Sequence, residues 1–194
     1  MISINPIGLN GPWTEGYALD IQINSSTFIG YDEYGHPRFE NERSEVGELL
    51  YRLKYGNEKS ATNPLKALAA SFIVDKWNPK LDLIIPAPPS KKRDFQPVLA
   101  IASQIAEETG IKYVEAIRKI KPTPQLKDVS DFDEKAKMLN EAFEVDGSLV
   151  NGKSILLFDD LFSSGVTLRV LTELLLKNGV DAVFALTLTK AGKR

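Results

Sequence analysis

Apolar residues along this chain alternate between short continuous runs and longer segments with helical spacing. The runs at 81–85, 155–158 and 182–188 have the length and composition of buried strands. Over 97–109 and 166–177 apolar residues recur every three or four positions, which predicts helices with one face against a core. Strands that alternate with helices predict an α/β fold with a mostly parallel, twisted sheet that is flanked by helices.

The N-terminal segment has a different pattern, with more glycine and more β-prone residues. Residues 17–23 alternate between apolar and polar side chains, and residues 27–31 are β-prone. The polar residues 24–26 between them predict the turn of a β-hairpin, and a glycine and a proline predict a second turn over 32–38. We therefore expect an antiparallel unit that lies against the sheet edge or covers the sheet as a hood.

Chain length limits the domain organisation. The 194 residues suffice for one domain with a substantial core, and two full domains would be crowded. We expect residues 1–42 to form an irregular segment and a β-hairpin packed on the core. Residues 43–194 are expected to form the α/β domain, which opens with two helices before the strand at 81–85.

Charge and residue types exclude several functions. The chain carries 24 basic and 26 acidic residues, whereas a protein that binds nucleic acid through phosphate contacts is usually more basic. It has no cysteine and one histidine, which excludes disulfides and argues against a structural zinc site. No apolar run reaches membrane-spanning length, and the N-terminus lacks a signal-peptide pattern. We therefore expect a cytoplasmic protein that does not bind membranes.

The segment from Ile155 to Thr167 is the richest in candidate chemistry. Its apolar run ends in Asp159 and Asp160, at the carboxyl end of a predicted strand, where open α/β sheets bind ligands. Five residues that suit a tight turn at the start of a helix follow: Ser163, Ser164, Gly165, Val166 and Thr167. Backbone N–H groups and the helix dipole favour an anion at such a turn. Because carboxylates repel phosphate, we expect the acids to bind hydroxyls or a metal ion, and a phosphorylated sugar satisfies both halves.

A second candidate loop follows the strand at 81–85. Prolines stiffen this loop, which ends in Lys91, Lys92 and Arg93. Since the carboxyl ends of parallel strands meet at one edge of a sheet, the two loops are able to share a ligand with several phosphate groups. Three adjacent cations are also typical of a solvated surface, so the loop alone does not decide between these interpretations.

The order of residues over 155–167 resembles the phosphoribosyl-pyrophosphate (PRPP) motif of type I phosphoribosyltransferases. Apolar residues lead to two acids, an apolar residue, any residue, two hydroxyl residues, Gly, any residue and Thr. The resemblance implies that the turn at 163–167 holds the 5-phosphate and that Asp159 and Asp160 hold the ribose 2- and 3-hydroxyls. It also implies pyrophosphate contacts in the proline loop, from Ala87, Pro88, Ser90, Lys91, Lys92 and Arg93.

Further segments narrow the resemblance to the ComF-type competence-protein branch, over roughly residues 46–190. They are 53–55, 93–96, 118–125 and 137–143. The chain departs from the pattern of this branch in two places. A cysteine-free segment replaces the usual N-terminal zinc ribbon. Asp94 replaces the glycine of the usual Arg-Gly-Phe-Asn sequence.

Three more cations are candidates for loop or phosphate contacts. Lys54 lies in one of the resembling segments, and Arg118 and Lys121 lie in an aperiodic basic stretch. That stretch has the composition of a mobile loop, which could close over the site and exclude water. An ordinary surface position remains the alternative for each cation.

If the resemblance extends to activity, a nitrogen nucleophile displaces pyrophosphate from C1 of PRPP. Mg²⁺ would be held mainly by oxygens of PRPP, with Asp159 and Asp160 as weak protein ligands. The nitrogen acceptor is not identified, and a homodimer stays open. Two alternatives are a non-catalytic PRPP or nucleotide sensor and a ComF-like interaction protein in DNA uptake, because a binding motif does not establish turnover.

Two other features are weaker candidates. Residues 147–154 match the P-loop pattern, but a P-loop runs into a helix, whereas here the strand at 155–158 follows. We therefore interpret Lys153 as an exposed residue before that strand. Trp13 and Trp77 are interpreted as packing residues, although Trp13 or Tyr17 could cover the acceptor pocket.

Overall fold

Ten strands and six α-helices make up the parts of the chain that the computed structural model describes, residues 2–89, 94–122 and 131–192. The strands are β1 (Ile7–Gly8), β2 (Glu15–Ile21), β3 (Ile23–Tyr31), β4 (Pro37–Arg43), β5 (Leu83–Pro86), β6 (Lys112–Tyr113), β7 (Ile117–Lys119), β8 (Phe143–Val145), β9 (Ser154–Phe162) and β10 (Ala182–Lys190). The helices are α1 (Glu45–Tyr55), α2 (Thr62–Ser71), α3 (Pro97–Thr109), α4 (Phe132–Ala142), α5 (Gly147–Val150) and α6 (Val166–Lys177). A π-helical turn, Phe72–Trp77, continues α2.

The central sheet has six strands among the described residues, in the order β1-β2-β10-β9-β5-β6. The ladders from β2 to β6 are all parallel, and only β1 runs antiparallel to its neighbour. This confirms the predicted α/β fold with a mostly parallel sheet.

Helices cover both faces of the sheet, and each face has its own hydrophobic core. Alternate residues of β9 divide between them, because Ile155 and Leu157 point to one core and Leu156 and Phe158 to the other. The first core packs on α4 and α6, and the second on α1, α2 and α3. Burial on both faces explains why β9 is continuously apolar over 155–158.

The chain reverses its direction across the sheet between β5 and β9. From β5 it passes through α3, on one face, to β6 at one edge, whereas from β9 it passes through α6, on the other face, to β10. The loops after β5 and β9 therefore diverge to opposite faces and leave a crevice at their carboxyl ends. The fold itself thus predicts where a ligand enters.

The predicted N-terminal hairpin is wrong in its pairing. Residues 24–26 do not form a turn but lie inside β3, which pairs with β4 around the turn at 32–36. The alternating segment at 17–23 is mostly β2, a strand of the central sheet that runs parallel to β10. The division at residue 42 stays a prediction, although β2 belongs to the central sheet.

The residues that match the P-loop pattern do not form a phosphate loop. Asp146 caps the short helix α5, and a turn at 151–152 then leads directly into β9. Lys153 is exposed before that strand, as the sequence predicts.

Candidate functional site

A cleft of about 230 Å³ lies at the crevice between β5 and β9. Segments from four elements line it, which shows that the fold gathers residues that are distant in sequence. The lining residues are Lys54, Pro88, Pro89, Gln96, Pro97, Val98, Asp159, Asp160, Leu161 and Thr167.

Asp159 and Asp160 lie within β9 and not after it, because the ladder with β10 extends to Phe162. Successive strand residues point to opposite faces. Asp160 accordingly meets α1, where Lys54 Nζ lies 2.9 Å from its Oδ2, and both side chains are largely buried. Asp159 lines, besides the cleft, a second cavity at the start of α6. The two acids therefore serve different sides of one cleft.

The pKa of Asp159 is raised from 3.8 to about 7, first because burial disfavours its charged form and second because the Asp160 carboxylate lies close by. A hydrogen bond of 2.8 Å from the backbone N–H of Asp160 to Asp159 Oδ1, and the nearby Lys54, oppose this shift without cancelling it. Near neutral pH, Asp159 is therefore able to gain or lose a proton when a ligand arrives.

The turn between β9 and α6 forms a smaller cavity of about 70 Å³. All five turn residues predicted from the sequence line it, from Ser163 to Thr167, together with Asp159, Leu161, Phe162 and Leu168. The first N–H groups of a helix have no partners within the helix, and no side chain caps the start of α6. This cavity therefore offers N–H donors and the positive end of the helix dipole to an anion.

Gly165 is required by the geometry of this turn for two reasons. Its φ is +76°, in the left-handed region that favours glycine. A Cβ atom at this position would lie 2.6 Å from Cζ of Phe162, so the phenyl ring leaves no room for a side chain. Phe162 therefore forms a wall of the cavity as well as the end of β9.

The loop after β5 begins close to the acids. The backbone N–H of Ala87 donates to the carbonyl oxygen of Phe158 over 2.8 Å, which ties this loop to β9. Ala87 is buried, while Pro88 lines the cleft. The remaining residues of the predicted pyrophosphate loop, Ser90, Lys91, Lys92 and Arg93, lie outside the described residues.

The three other candidate cations occupy different places. Lys54 lines the cleft and pairs with Asp160. Arg118 pairs across the ribbon of β7 and β8 with Glu144, and Lys121 lies 3.6 Å from Glu141 on the surface. Neither Arg118 nor Lys121 lines a cavity described above, and their predicted phosphate contact stays a prediction.

Several residues that line the cleft or the turn cavity are not among the predicted site residues. Gln96 and Pro97 come from the start of α3, and only the fold brings them to the acids. Phe162 occupies a position that the motif leaves free. The sequence does carry one indication of its role. A large aromatic side chain in a turn between two acids and two serines needs a packing partner, which indicates that Phe162 packs against a neighbouring element.

Trp13 and Tyr17 do not cover the cleft. Trp13 is buried in the first core, and Tyr17 packs edge-on against Trp77 with 5.1 Å between ring centroids. A third cavity, of about 400 Å³, adjoins the cleft and shares Lys54 and Pro97 with it. Its other lining residues are Leu53, Tyr55, Asn57, Lys59, Asp94 and Phe95.

The acid pair fits Mg²⁺ only as part of a ligand complex. Among the described residues, no group of three or more histidine, cysteine or acidic side chains is placed to hold a metal ion. Mg²⁺ commonly takes one or two carboxylates and completes its coordination with water and phosphate oxygens. Asp159 and Asp160 supply that number of carboxylates beside a cavity for an anion.

In the part of the chain that the structure describes, no helix is both long enough and apolar enough to cross a membrane.

The fold is shared with phosphoribosyltransferase structures. Glutamine PRPP amidotransferase from B. subtilis, solved with ADP and GMP, superposes with a TM-score of 0.51 at 19% identity, covering 80% of this chain and 34% of that one. Adenine phosphoribosyltransferase from Leishmania tarentolae gives a TM-score of 0.50 at 10% identity, covering 96% and 94%. This chain thus spans about a third of the amidotransferase and nearly all of the adenine enzyme. No protein-family model and no curated protein matches the sequence.

Proposed function

We propose that this protein binds Mg-PRPP in the cleft and transfers the 5-phosphoribosyl group to a nitrogen acceptor, with release of pyrophosphate. The observation that carries the proposal is the junction of two cavities at the end of β9. One contains the acid pair and the other the N–H-rich turn, and Asp159, Leu161 and Thr167 line both. A sugar phosphate likewise carries hydroxyls next to an anionic group.

The two cavities give the donor one orientation. Its 5-phosphate would lie in the turn at 163–167, and its ribose 2- and 3-hydroxyls would donate to Asp159 and Asp160. The pyrophosphate group would then point toward Pro88 and the loop after β5. That loop carries Lys91, Lys92 and Arg93 in the sequence, which suits the charge of pyrophosphate.

The reaction requires stabilisation of charge more than a strong base. The bond from C1 to pyrophosphate breaks, pyrophosphate leaves with the bonding electrons, the C1–N bond forms and the acceptor nitrogen loses a proton. Positive charge develops on the ribose ring, and the carboxylates of Asp159 and Asp160 would stabilise it. Lys54 would hold the Asp160 side chain in position through their salt bridge. Bound Mg²⁺ would neutralise charge on the leaving pyrophosphate.

The acceptor would enter from the third cavity, which opens beside Lys54 and Pro97. This cavity shares no lining residue with the cavity at the phosphate turn. An acceptor there would approach the sugar from the end opposite its 5-phosphate. The assignment to the ComF-type branch and a role in DNA uptake stay predictions.

The double substitution Asp159→Asn with Asp160→Asn tests the assignment of the acids. We expect PRPP affinity to fall at least tenfold per acid, because charge-assisted hydrogen bonds contribute about 1.5–3 kcal/mol each. Isothermal titration with Mg-PRPP measures the loss, and circular dichroism checks the fold. Asp181→Asn, at an exposed acid before β10, is the matched control. Unchanged PRPP affinity in the double variant would refute the proposal.

Turnover separates an enzyme from a PRPP sensor. The protein is incubated with Mg-PRPP and a panel of nitrogen bases and amines, and pyrophosphate release is measured. Release that depends on one acceptor supports a transferase. Saturable binding without release across the panel supports the sensor.

A further inference from the structure

Trp13 occupies a site that the N-terminal chain builds around its indole. The side chain is 7% exposed, and its Nε1–H donates to the carbonyl oxygen of Leu9 over 2.8 Å. Cβ atoms added to Gly11 and Gly16 would lie 2.2 Å and 2.4 Å from the indole, so the backbone at Gly11 contacts its six-membered ring and the backbone at Gly16 its five-membered ring. The turn from Leu9 to Gly16 thus excludes other side chains and holds one tryptophan.

The same turn is fixed to the central sheet. The backbone N–H of Leu9 donates to the carbonyl oxygen of Gly16, and that of Thr14 donates to the carbonyl oxygen of Val183 in β10. The turn that surrounds the indole is therefore held by backbone hydrogen bonds to β2 and β10. A group that is fixed in this way can support a neighbouring element as well as fill space.

The element that the indole supports is the end of β9. Trp13 packs edge-on against Phe162, with 6.2 Å between ring centroids and an angle of 87° between planes. The Phe162 ring also adjoins Gly165, so closely that a Cβ atom would not fit there. A continuous contact therefore runs from Trp13 through Phe162 to the anion-binding turn, across almost the whole length of the sequence.

Support of this kind matters because the turn has few restraints of its own. No side chain caps the start of α6, and Gly165 takes a conformation open to glycine, which is the most flexible residue. A shift of the Phe162 ring would move the backbone N–H groups that converge on an anion. Such groups act only when they are held in position before the ligand arrives.

We propose that Trp13 is a positioning residue for the anion turn and sets its affinity for the 5-phosphate through Phe162. The ligand named here rests on the proposed function, whereas the mechanical support of the turn does not. The N-terminal segment, which lies outside the cleft, would in this way control binding inside it.

Two matched substitutions test the proposal, Trp13→Leu and Trp77→Leu. Each removes one indole with one hydrogen bond, since Trp77 Nε1–H donates to Glu15 Oε2 over 2.7 Å. Trp77 is partly buried and packs against the core on the other face of the sheet. We expect both to lower the melting temperature. Only Trp13→Leu should weaken binding of ribose 5-phosphate, at least fivefold by titration calorimetry, and accelerate hydrogen exchange of the 163–167 amides at least fivefold.

A third variant, Phe162→Leu, keeps Trp13 and removes the link. It should reproduce both effects, and the double variant Trp13→Leu with Phe162→Leu should be no weaker in binding than Phe162→Leu alone. If Trp13→Leu does not fold, Phe162→Leu and the milder Trp13→Phe decide the question by the same two measurements.

The proposal is overturned if Trp13→Leu lowers the melting temperature but leaves both the affinity and the exchange of 163–167 as they are in Trp77→Leu. Absence of ribose 5-phosphate binding in the unsubstituted protein would refute the proposed function instead. In that case the ligand-free exchange rates still decide whether Trp13 supports the turn.

Discussion

At the scale of single residues, Asp159 and Asp160 are adjacent in sequence but have different surroundings. Asp160 forms a salt bridge of 2.9 Å with Lys54. Asp159 receives one backbone hydrogen bond and is disfavoured as an anion by burial and by its neighbour. The strand alternation therefore gives the two neighbouring acids different partners.

This difference predicts how Asp159→Asn changes stability with pH. Because the folded pKa of Asp159, about 7, lies above its ordinary 3.8, the folded state binds the proton more tightly than the unfolded state does. The contribution of Asp159 to the free energy of unfolding is full below pH 3.8 and is lost as pH rises toward 7. We expect the variant to gain stability over the original protein between pH 5 and pH 8, by on the order of 1 kcal/mol.

Urea unfolding at a series of pH values measures this gain. Asp181→Asn, on the surface, should show no such trend. A stability difference for Asp159→Asn that does not change with pH would contradict the assigned pKa.

Gly165→Ala probes the turn directly, with Gly152→Ala as its control. Both glycines have positive φ, +76° and +67°, but a Cβ at 152 meets open space whereas one at 165 meets Phe162. We expect both variants to lose about 1 kcal/mol from backbone strain, and only Gly165→Ala to lose more and to bind ribose 5-phosphate less tightly. Urea unfolding and calorimetry measure the two effects. Equal affinity of both variants for ribose 5-phosphate would show that the Phe162 ring moves to make room for the added methyl group.

At the scale of elements, the β3–β4 ribbon is the least integrated part of the described structure. Its two strands pair only with each other, and Phe28, Tyr31 and Phe39 form an exposed aromatic cluster on it. The ends of the ribbon are nevertheless fixed, because the hydroxyl of Ser44 donates to the carbonyl oxygen of Ile21 and also caps α1. The ribbon thus connects two anchored points of the chain, Ile21 at the end of β2 and Ser44 at the start of α1.

Replacement of residues 24–42 by Asn-Gly tests this interpretation. Ile23 and Arg43 face each other across the ribbon, and a two-residue Asn-Gly turn closes such a pair. We expect the shortened protein to keep its melting temperature within a few degrees, and to keep its PRPP affinity, because the ribbon lines none of the three cavities described. Loss of cooperative unfolding would show that the ribbon belongs to the core.

At the scale of the whole molecule, local patterns predicted the helices and strands but not the order of the strands in the sheet. The apolar run at 155–158 and the helix Val166–Lys177 are found as the sequence predicts. The sequence predicts a hairpin for the segment that contains β2, because alternation of apolar and polar residues is typical of a strand with one exposed face. The structure shows instead that β2 is largely buried and pairs with β10. Pairing between segments so distant in sequence leaves no local signal. For the same reason, the sequence could not place Gln96 and Pro97 beside the acids.

Removal of β10 tests how far the sheet depends on that pairing. A chain that ends after Asp181 leaves β2 and β9 without the strand between them. We expect this chain to unfold without cooperativity and to bind no PRPP, whereas a chain that ends after Lys190 behaves as the full chain does. Circular dichroism and calorimetry measure both properties. A truncated chain with a cooperative transition would show that β5 and β9 form a stable sheet alone.

The position of β10 also has a consequence for synthesis on the ribosome. Leu186 faces Tyr17 on one side and Phe158 on the other, so one late strand joins an early strand to the strand with the acids. Until β10 has left the exit tunnel, the nascent chain exposes two apolar strand edges, which readily pair with other chains.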